Sequence, residues 1–472
     1  MTFFSNLYLK KIIWTISCFK AKVDSMKFTT FNQVIDFMES FTNLERQTDH
    51  YNTRTYRLDR VQTILQLLGN PQNSYKILHV AGTKGKGSTA SFLADGLASL
   101  GFKTGKFLSP HITDYRERFS LNNRFFDDDL LIETGNELSS KFEGFHFSKE
   151  QGNEGPTSFE LYTCFAFLLF KNAHCQWAVI ETGLGGRLDA TNVVEPEAVF
   201  LCPIEKEHTK ILGTTIHAIA TEKSKIIKKN KPVFISKQPK EALDVFLEEA
   251  KNCSSPVYYL PDYTNNISQS LLNEDGKIFQ NVIIEFKDGY KTHLNLLMLS
   301  EVQGNNAALA LLGLKTLNLF KEGITEESMN KTTLPGRFEK LEYKRPVYID
   351  GAHTPSSMFS TLDTFCNLFP SNNKIIVYSN VEGKNYQEMI QMVLDKFDQI
   401  IITRPGTFKK SDIQILYDYF VQNKKINQKV YLCPEVQEAL KQIEKLSIDN
   451  NTSVLVTGSF YLAGIFKEAI CR

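Results

Sequence analysis

Hydrophobic positions along this chain follow two alternating patterns. Apolar residues recur at helical spacing over 31–41 and 57–68, which predicts amphipathic helices there. Short apolar runs of the kind that form buried strands, too short for a stable helix, lie at 77–80, 177–181 and 198–202. Because helical segments such as 159–170 separate these runs, the chain predicts βαβ units and a mostly parallel sheet covered on both faces.

The pattern weakens and then restarts towards the C-terminus. The stretch 252–289 is rich in Asn, Asp and Gly and predicts short strands and turns, and 307–319 is helical in pattern. The sequence TTLPGR at 332–337 carries a Pro-Gly turn and predicts a linker. Five further strand-like runs follow it, at 347–350, 374–378, 399–403, 430–432 and 454–457.

These runs predict an α/β protein with a domain boundary near residue 333. We expect a large P-loop-type domain with a mostly parallel sheet over 26–332. A second, smaller Rossmann-like α/β domain is expected over 333–472.

Composition narrows the class of protein. The 472 residues suggest about three domains or two large ones, and 42% hydrophobic with 23% charged residues is typical of a globular chain. Lys and Arg (54) nearly balance Asp and Glu (53), so the net charge of +1 offers no general attraction for nucleic acid or anionic lipid. We therefore expect neither nucleic acid nor a membrane as a partner, and no apolar run is long enough to span a bilayer.

The cysteines indicate a reducing compartment. All eight are scattered, without a CxxC pair, which argues against a zinc ribbon or a disulfide framework and favours a cytoplasmic location. Residues 1–23 contain four lysines and no acidic residue. We interpret 1–25 as an N-terminal extension before a second start at Met26. A targeting segment is the alternative, although 1–25 has neither Arg nor an A-x-A-like cleavage site.

A glycine-rich loop follows the first predicted strand and leads into a predicted helix at 88–100. Backbone N–H groups of such a loop close around phosphate oxygens, and the helix N-terminus faces the anion. The Lys is expected to reach the β- and γ-phosphates and the Ser hydroxyl to bind Mg²⁺, although the spacing departs from the full GxxxxGK[ST] motif. An ordinary turn is the alternative. The candidate ATP-binding residues of this loop are Gly82, Thr83, Lys84, Gly85, Lys86, Gly87 and Ser88.

Two further segments carry candidate chemistry. Glu181 ends a predicted buried strand, at the edge where open α/β sheets hold ligands, and GLGGRLDATN follows it. His208 follows the next strand, and Lys223 lies in a predicted helix. Taken singly, each has an ordinary explanation: a solvent-facing acid, a surface histidine or a solvated lysine.

Together with Ser109-Pro110-His111, Leu334-Pro335-Gly336-Arg337 and Asp350-Gly351-Ala352-His353, these segments resemble the folylpolyglutamate synthase/dihydrofolate synthase family. This is the folate branch of the Mur-ligase-like ATP-dependent amide ligases, and the resemblance runs from about Met26 to Lys467 in the family's motif order. It implies that 26–332 form an ATP- and folate-binding domain of the Mur-ligase central type and that 333–472 form a domain of the Mur-ligase C-terminal type. It also implies a ligase that joins L-glutamate to a folate or dihydropteroate carboxylate through an acyl phosphate, acting as a monomer with ATP and two Mg²⁺.

The resemblance also implies roles for matching residues. The catalytic set is Lys86, Glu181, His208 and Lys223, and the metal ligands are Ser88, Glu181, His208 and a Lys223 that family members carbamylate. Additional ATP contacts would come from Asn306, Arg337, Asp350 and His353. The pterin-bearing substrate would lie against Ser109, Pro110, His111, Arg187 and Asp189.

The chain departs from the family's usual residues at several motif positions. Lys84 stands for Asn in GTNGKGS, Glu207 for the Asp before the His, and Thr354 for the Asn of HNP. Ser224 and Lys225 stand for the usual Ala-Gly after the modified lysine. A Lys225 that faced the metals would compete with them, so the carbamylation of Lys223 depends on where Lys225 points.

Rival functions remain open at this point. A P-loop kinase or a nucleotide-binding module without ligation explains Lys86 and Ser88, but it does not predict His208, Lys223 or Arg337. A muramyl-peptide ligase would carry a UDP-binding domain first, and about 60 residues between Met26 and the phosphate loop leave no room for it. The residues do not decide between addition of the first glutamate to dihydropteroate, extension of a folate, or both.

Overall fold

The computed structural model describes residues 27–43, 57–142, 145–151, 155–274, 277–371, 373–381, 385–406, 411–446 and 451–471. The predicted extension, 1–25, lies outside them. The chain forms two compact units, one within 1–75 and 126–175 and the other within 76–125 and 176–472. This division does not separate residues before and after 333, so the boundary proposed there stays a prediction.

The first unit is helical. Its helices are Phe31–Glu39, Leu58–Leu67, Asp128–Ser140 and Ser158–Asn172, with short 3₁₀ turns at Pro71–Asn73 and Lys149–Gln151. Thr157 and Glu160 form a capping box at the start of Ser158–Asn172, which supplies partners for backbone N–H groups that have none within the helix. Arg60 and Glu160 form a buried ion pair, with side chains 3% and 6% exposed. The helices predicted at 31–41, 57–68 and 159–170 are therefore confirmed.

The second unit contains an eight-stranded sheet of order β4-β3-β2-β5-β1-β6-β7-β8, which we call the large sheet. Its strands are β1 (Lys76–Ala81), β2 (Thr104–Phe107), β3 (Phe119–Leu121), β4 (Arg124–Phe125), β5 (Trp177–Glu181), β6 (Ala198–Leu201), β7 (Val233–Ile235) and β8 (Val257–Tyr259). The strands from β2 to β8 in this order are parallel, and β3 and β4 add antiparallel partners at one edge. The large, mostly parallel sheet is thus as predicted.

Helices cover this sheet and join its strands. Within the second unit, the described helices up to residue 330 are, in chain order, Lys86–Ser99, Thr209–Leu212, Ile216–Ser224, Lys240–Asn252, Leu260–Tyr263, Glu301–Thr316 and Ile324–Asn330, with 3₁₀ turns at Tyr115–Arg118 and Ala190–Val193. Phe92 of one helix and Leu311 of another lie in the same buried cluster as Val80 and Phe200 of the strands. Burial on both faces explains why the strands read as continuous apolar runs.

A three-stranded antiparallel sheet corrects one expectation. It consists of β9 (Thr264–Glu274), β10 (Lys277–Phe286) and β11 (Lys291–Leu296). The prediction of short strands and turns over 252–289 was wrong, because β9 and β10 are 11 and 10 residues long. Much of β9 is exposed and β10 buries alternate residues, so polar side chains fill the solvent face and hide the strand pattern.

The C-terminal sheet has the order β12-β13-β17-β14-β15-β16. Its strands are β12 (Glu339–Leu341), β13 (Val347–Ile349), β14 (Asn373–Tyr378), β15 (Gln399–Ile402), β16 (Lys429–Leu432) and β17 (Thr452–Thr457). Its helices are Pro355–Leu368, Tyr386–Lys396, Ile413–Asn423, Val436–Leu446 and Phe460–Cys471. Only β12 runs antiparallel to its neighbour. This parallel α/β layer confirms the second, Rossmann-like part of the fold prediction.

Two expectations from composition can be compared with this fold. Among the described residues, no cysteine forms a disulfide bond; these are Cys164, Cys175, Cys202, Cys253, Cys366, Cys433 and Cys471. None of the described helices combines the length and the apolar character needed to cross a bilayer.

Candidate functional site

The phosphate loop lies at the carboxyl end of β1 in the large sheet. Gly82 and Gly85 have φ angles of 152° and 80°, and helix Lys86–Ser99 begins directly after them. A Cβ atom on Gly85 would collide with the side-chain oxygen of Asn306, so this turn requires a glycine on both conformational and steric grounds. The structure thus brings together the loop and Asn306, which are 221 positions apart in numbering.

Glu181 lies beside the start of this helix. Its Oε1 is 3.6 Å from Lys86 Nζ, and its Oε2 accepts a hydrogen bond from the Ser109 N–H at 3.1 Å. A Cβ on Gly87 would lie 3.4 Å from the same Oε2. Burial raises the pKa of Glu181, and the Lys86 ammonium, the Ser109 N–H and the Arg337 guanidinium oppose that rise. A buried carboxylate, a lysine and a helix N-terminus therefore share one place at the sheet edge.

Ser88 and Lys223 are both buried near this point, with 3% and 4% of their surfaces exposed. Lys223 lies in helix Ile216–Ser224, and burial, followed by the Lys86 ammonium, lowers its pKa to about 7. The glycine-rich segment after β5 packs directly on this helix, because a Cβ on Gly186 would lie 2.7 Å from the Glu222 carbonyl oxygen. Lys223 is thus a buried lysine with an easily lost proton, rather than the solvated lysine of the ordinary explanation.

The neighbouring Lys225 points elsewhere. Its Nζ lies 2.5 Å from Glu249 Oε2 on helix Lys240–Asn252. Because its ammonium is held in this ion pair, Lys225 would not compete with metal ions beside Lys223.

His208 is less closely associated with the loop. It is exposed, has a φ of 51° and immediately precedes helix Thr209–Leu212. Within the part of the chain that the structure describes, no group of three or more His, Cys, Asp or Glu side chains could hold a metal ion. The metal-ligand assignments of His208, Ser88, Glu181 and Lys223 therefore stay predictions.

The candidate substrate residues fall into two segments. Ser109-Pro110, joined by a cis peptide bond, begins a loop whose N–H groups at Ile112, Thr113 and Asp114 donate to the Glu117 carboxylate at 2.6–3.2 Å. In the same loop His111 Nδ1 accepts a hydrogen bond from Arg118 Nε at 2.9 Å. Sequence reasoning missed Glu117, because only the folded loop shows that it organises the backbone.

Arg187 and Asp189 have local partners. The Arg187 side chain is 47% exposed and pairs with Glu222 at 3.0 Å. Asp189 is buried and accepts hydrogen bonds from the Leu184 N–H, the Thr191 N–H and the Thr191 hydroxyl at 2.5–3.0 Å. Both groups shape the segment after β5, and their contact with substrate stays a prediction.

Arg337, Asp350 and His353 come from the segments around β12 and β13. The Arg337 guanidinium lies 4.5 Å from the centre of the Phe460 ring and attracts the carboxylates of Glu181 and Asp350. Both oxygens of Asp350 accept hydrogen bonds, from the Phe338 and Ala352 N–H groups and from the Thr361 hydroxyl. Asp350 thus fixes this turn of the C-terminal sheet. Its predicted contact with ATP is untested.

His353 contacts a residue that sequence reasoning recorded only as a departure. Its Nε2 lies 2.8 Å from Glu207 Oε1, and its Nδ1 lies 2.8 Å from the Gly351 carbonyl oxygen. The other Glu207 oxygen is 3.1 Å from Lys84 Nζ. The only signal in the sequence was that Lys84 and Glu207 both differ from the usual residues.

Comparisons with known proteins give a consistent result. Residues 336–460 match the family model described as Mur ligase, glutamate ligase domain. The dihydrofolate synthase/folylpolyglutamate synthase of Bacillus subtilis (strain 168) is 33% identical over 425 residues, which covers 88% of this chain and 94% of that protein. The structure of Mycobacterium tuberculosis folylpolyglutamate synthase complexed with ADP and AMPPCP aligns with a TM-score of 0.79 at 25% identity, covering 90% of this chain and 98% of that one. A folylpolyglutamate synthase complex with AMPPCP and folate aligns with a TM-score of 0.77 at 25% identity, covering 94% of this chain and 100% of that one.

Proposed function

Because this chain belongs to the folylpolyglutamate synthase/dihydrofolate synthase family of ATP-dependent Mur-type ligases, we propose that it joins L-glutamate to a folate or dihydropteroate carboxylate. The observation that carries this proposal is the convergence of Lys86, Glu181 and Arg337 at the carboxyl edge of the large sheet. This set of two cations from different segments and a buried acid suits the binding of a triphosphate and its metal ion better than it suits nucleophilic catalysis by a triad.

The reaction needs activation of the acid. The substrate carboxylate oxygen attacks the γ-phosphorus and ADP leaves, which gives an acyl phosphate. The neutral amine of glutamate then attacks the acyl carbon, and as the amide bond forms phosphate leaves and takes up the proton that the nitrogen gives up. Such phosphoryl transfer depends on positioning and charge stabilisation rather than covalent catalysis. Lys86 and Arg337 supply positive charge, while the N–H groups at the start of helix Lys86–Ser99 orient the phosphates.

The donor set fits Mg²⁺. Magnesium prefers hard oxygen ligands and is usually held by one or two carboxylates together with substrate phosphates. Glu181 and the Ser88 hydroxyl offer such oxygens beside the phosphate loop, and a second site would use His208 and Lys223. Bound Mg²⁺ would neutralise charge on the phosphates.

Carbamylation of Lys223 is part of the proposal. A protonated lysine cannot coordinate a metal, whereas a carbamate presents carboxylate-like oxygens. Only the neutral amine reacts with CO₂, and burial of Lys223 favours that form. Lys225 is held by Glu249, so its own ammonium does not compete with a metal ion at Lys223.

The substrate assay tests the proposal directly. Purified protein is given ATP, Mg²⁺ and L-glutamate with either dihydropteroate or tetrahydrofolate, and ADP and the conjugated product are measured together. We expect ADP formation to require both the acid and glutamate. ATP hydrolysis or phosphoryl transfer that ignores glutamate would favour a nucleotide-binding kinase instead. Sedimentation of the active protein tests the expected monomer.

A further inference from the structure

The segment 203–207, between β6 and helix Thr209–Leu212, holds the phosphate loop through its backbone. The Pro203 carbonyl oxygen accepts hydrogen bonds from the Thr83 and Lys84 N–H groups at 2.9 and 3.2 Å. The Glu205 carbonyl oxygen accepts one from the Thr83 hydroxyl at 3.2 Å. The position of the loop therefore depends on this segment as well as on β1.

Side chains of the same segment reach the C-terminal sheet. Glu205 Oε2 accepts a hydrogen bond from the Ser356 hydroxyl at 2.5 Å, and Glu207 Oε1 lies 2.8 Å from His353 Nε2. Ser356 lies in the first turn of helix Pro355–Leu368, and His353 directly precedes its N-cap residue Thr354. Carboxylates are stabilised near a helix N-terminus, where backbone N–H groups have no partner within the helix.

Glu207 is distinctive because its two oxygens serve two different elements. One faces His353 and the other faces Lys84 Nζ at 3.1 Å. The three side chains are partly shielded from water, with 23% of Lys84, 10% of Glu207 and 22% of His353 exposed. Shielding makes such contacts stronger than those of a fully exposed ion pair.

We propose that Glu207 is a positioning residue for ATP. It holds Lys84 of the phosphate loop and His353, which follows β13 of the C-terminal sheet, in fixed positions relative to each other. It acts through these two side chains rather than by touching the nucleotide. The inference rests on the proposed ATP site. It goes beyond the proposed function by assigning a role to a residue outside the predicted catalytic, ATP-binding, metal and substrate sets.

Substitution of Glu207 tests this role through binding rather than turnover. We expect Glu207→Gln to raise the Kd for AMPPCP with Mg²⁺ about tenfold, the size of effect that loss of one hydrogen bond to a charged group produces. Glu285→Gln is the matched control, because Glu285 pairs with Lys291 at 2.7 Å in the antiparallel sheet of the same unit, and neither residue belongs to the proposed site. This control should leave the Kd unchanged.

A double-mutant cycle distinguishes positioning from a general loss of structure. If Glu207 acts through His353, adding Glu207→Gln to His353→Gln should change the AMPPCP Kd far less than adding it to the wild type. Equal effects in both backgrounds, or an unchanged Kd in the single variant, would overturn the proposal. In the turnover assay the KM for ATP should rise while the KM for the folate-type substrate stays constant.

A second variant covers the case in which Glu207→Gln does not fold. Glu207→Asp keeps the charge but is one methylene shorter, so it cannot span the distance between Lys84 and His353 as Glu207 does. It should also weaken AMPPCP binding, and wild-type affinity would contradict the role. A wild-type protein that binds AMPPCP but conjugates no glutamate would refute the proposed function alone, since these Kd measurements do not depend on turnover.

Discussion

Lys86 Nζ lies 3.6 Å from Glu181 Oε1, at the point where the phosphate-loop helix begins and β5 ends. Their pairing places a cation and a buried carboxylate together where the triphosphate and Mg²⁺ are expected.

We expect Lys86→Ala and Glu181→Ala each to lower kcat/KM for ligation by at least about a hundredfold, the usual scale for losing a charge-stabilising group. Product formation by chromatography provides the measurement, and circular dichroism shows whether the fold persists. Lys315→Ala serves as the control. Lys315 is another partly buried lysine of the same unit, with 18% of its side chain exposed, and it pairs with Asp288 rather than with a residue of this site. Near-normal ligation by Glu181→Ala would contradict the metal assignment.

Gly85 allows a test of the loop's geometry. Gly85→Ala places a methyl group against Asn306 in a residue with φ 80°, so we expect a clear loss of ATP affinity. Gly101→Ala is the control, because Gly101 has φ 85° and nothing within 4 Å of the added methyl. Both variants carry backbone strain of about 1 kcal/mol, but only the first should raise the Kd for AMPPCP. Equal binding by both variants would show that Gly85 is not needed for the nucleotide.

If Lys223 is carbamylated, the ligation activity should depend on carbon dioxide. Removal of dissolved CO₂ and bicarbonate should lower ligation, and adding bicarbonate should restore it, because the carbamate forms reversibly on the neutral amine. Lys223→Ala should be inactive and insensitive to bicarbonate, and a short carboxylic acid such as acetate should return part of its activity by supplying the missing oxygens. Wild-type activity that does not change with bicarbonate would show that Lys223 acts without carbamylation.

His79 provides a pH dependence that does not involve the site's metal ligands. It is fully buried in β1, its Nε2 lies 2.9 Å from the Thr191 hydroxyl oxygen, and burial, aided by Lys228, lowers its pKa to about 3. Between that value and the ordinary histidine pKa of about 6.5, the unfolded chain binds a proton that the folded chain does not. Stability from this group is therefore present near pH 7 and falls as the pH drops.

We expect the free energy of unfolding, measured in urea, to fall by about 2 kcal/mol more in the wild type than in His79→Gln between pH 7 and pH 5. Glutamine keeps a polar N–H but does not titrate. His174→Gln is a control for an exposed histidine. Parallel pH profiles for the wild type and His79→Gln would show that His79 is not held neutral by the fold.

The sequence by itself determined the strand and helix pattern over most of the chain. Runs such as 77–80 and 454–457 are apolar because parallel strands are buried on both faces, so their local composition reports their environment. The phosphate loop could be predicted for a similar reason, since its glycines reflect the local backbone conformation. The antiparallel strands β9 and β10 were misread, because a strand with a solvent face carries the polar residues that are otherwise typical of turns.

Tertiary structure decided the rest of the site. Only the folded chain shows that Lys225 pairs with Glu249, that Lys223 is buried, and that Glu207 lies between Lys84 and His353. A residue's type limits which partners it can take, but packing determines which of them comes within reach and how much water remains around it. Distances and burial set charge interactions and pKa values, and for residues far apart in the chain both arise only when the sheets and helices assemble.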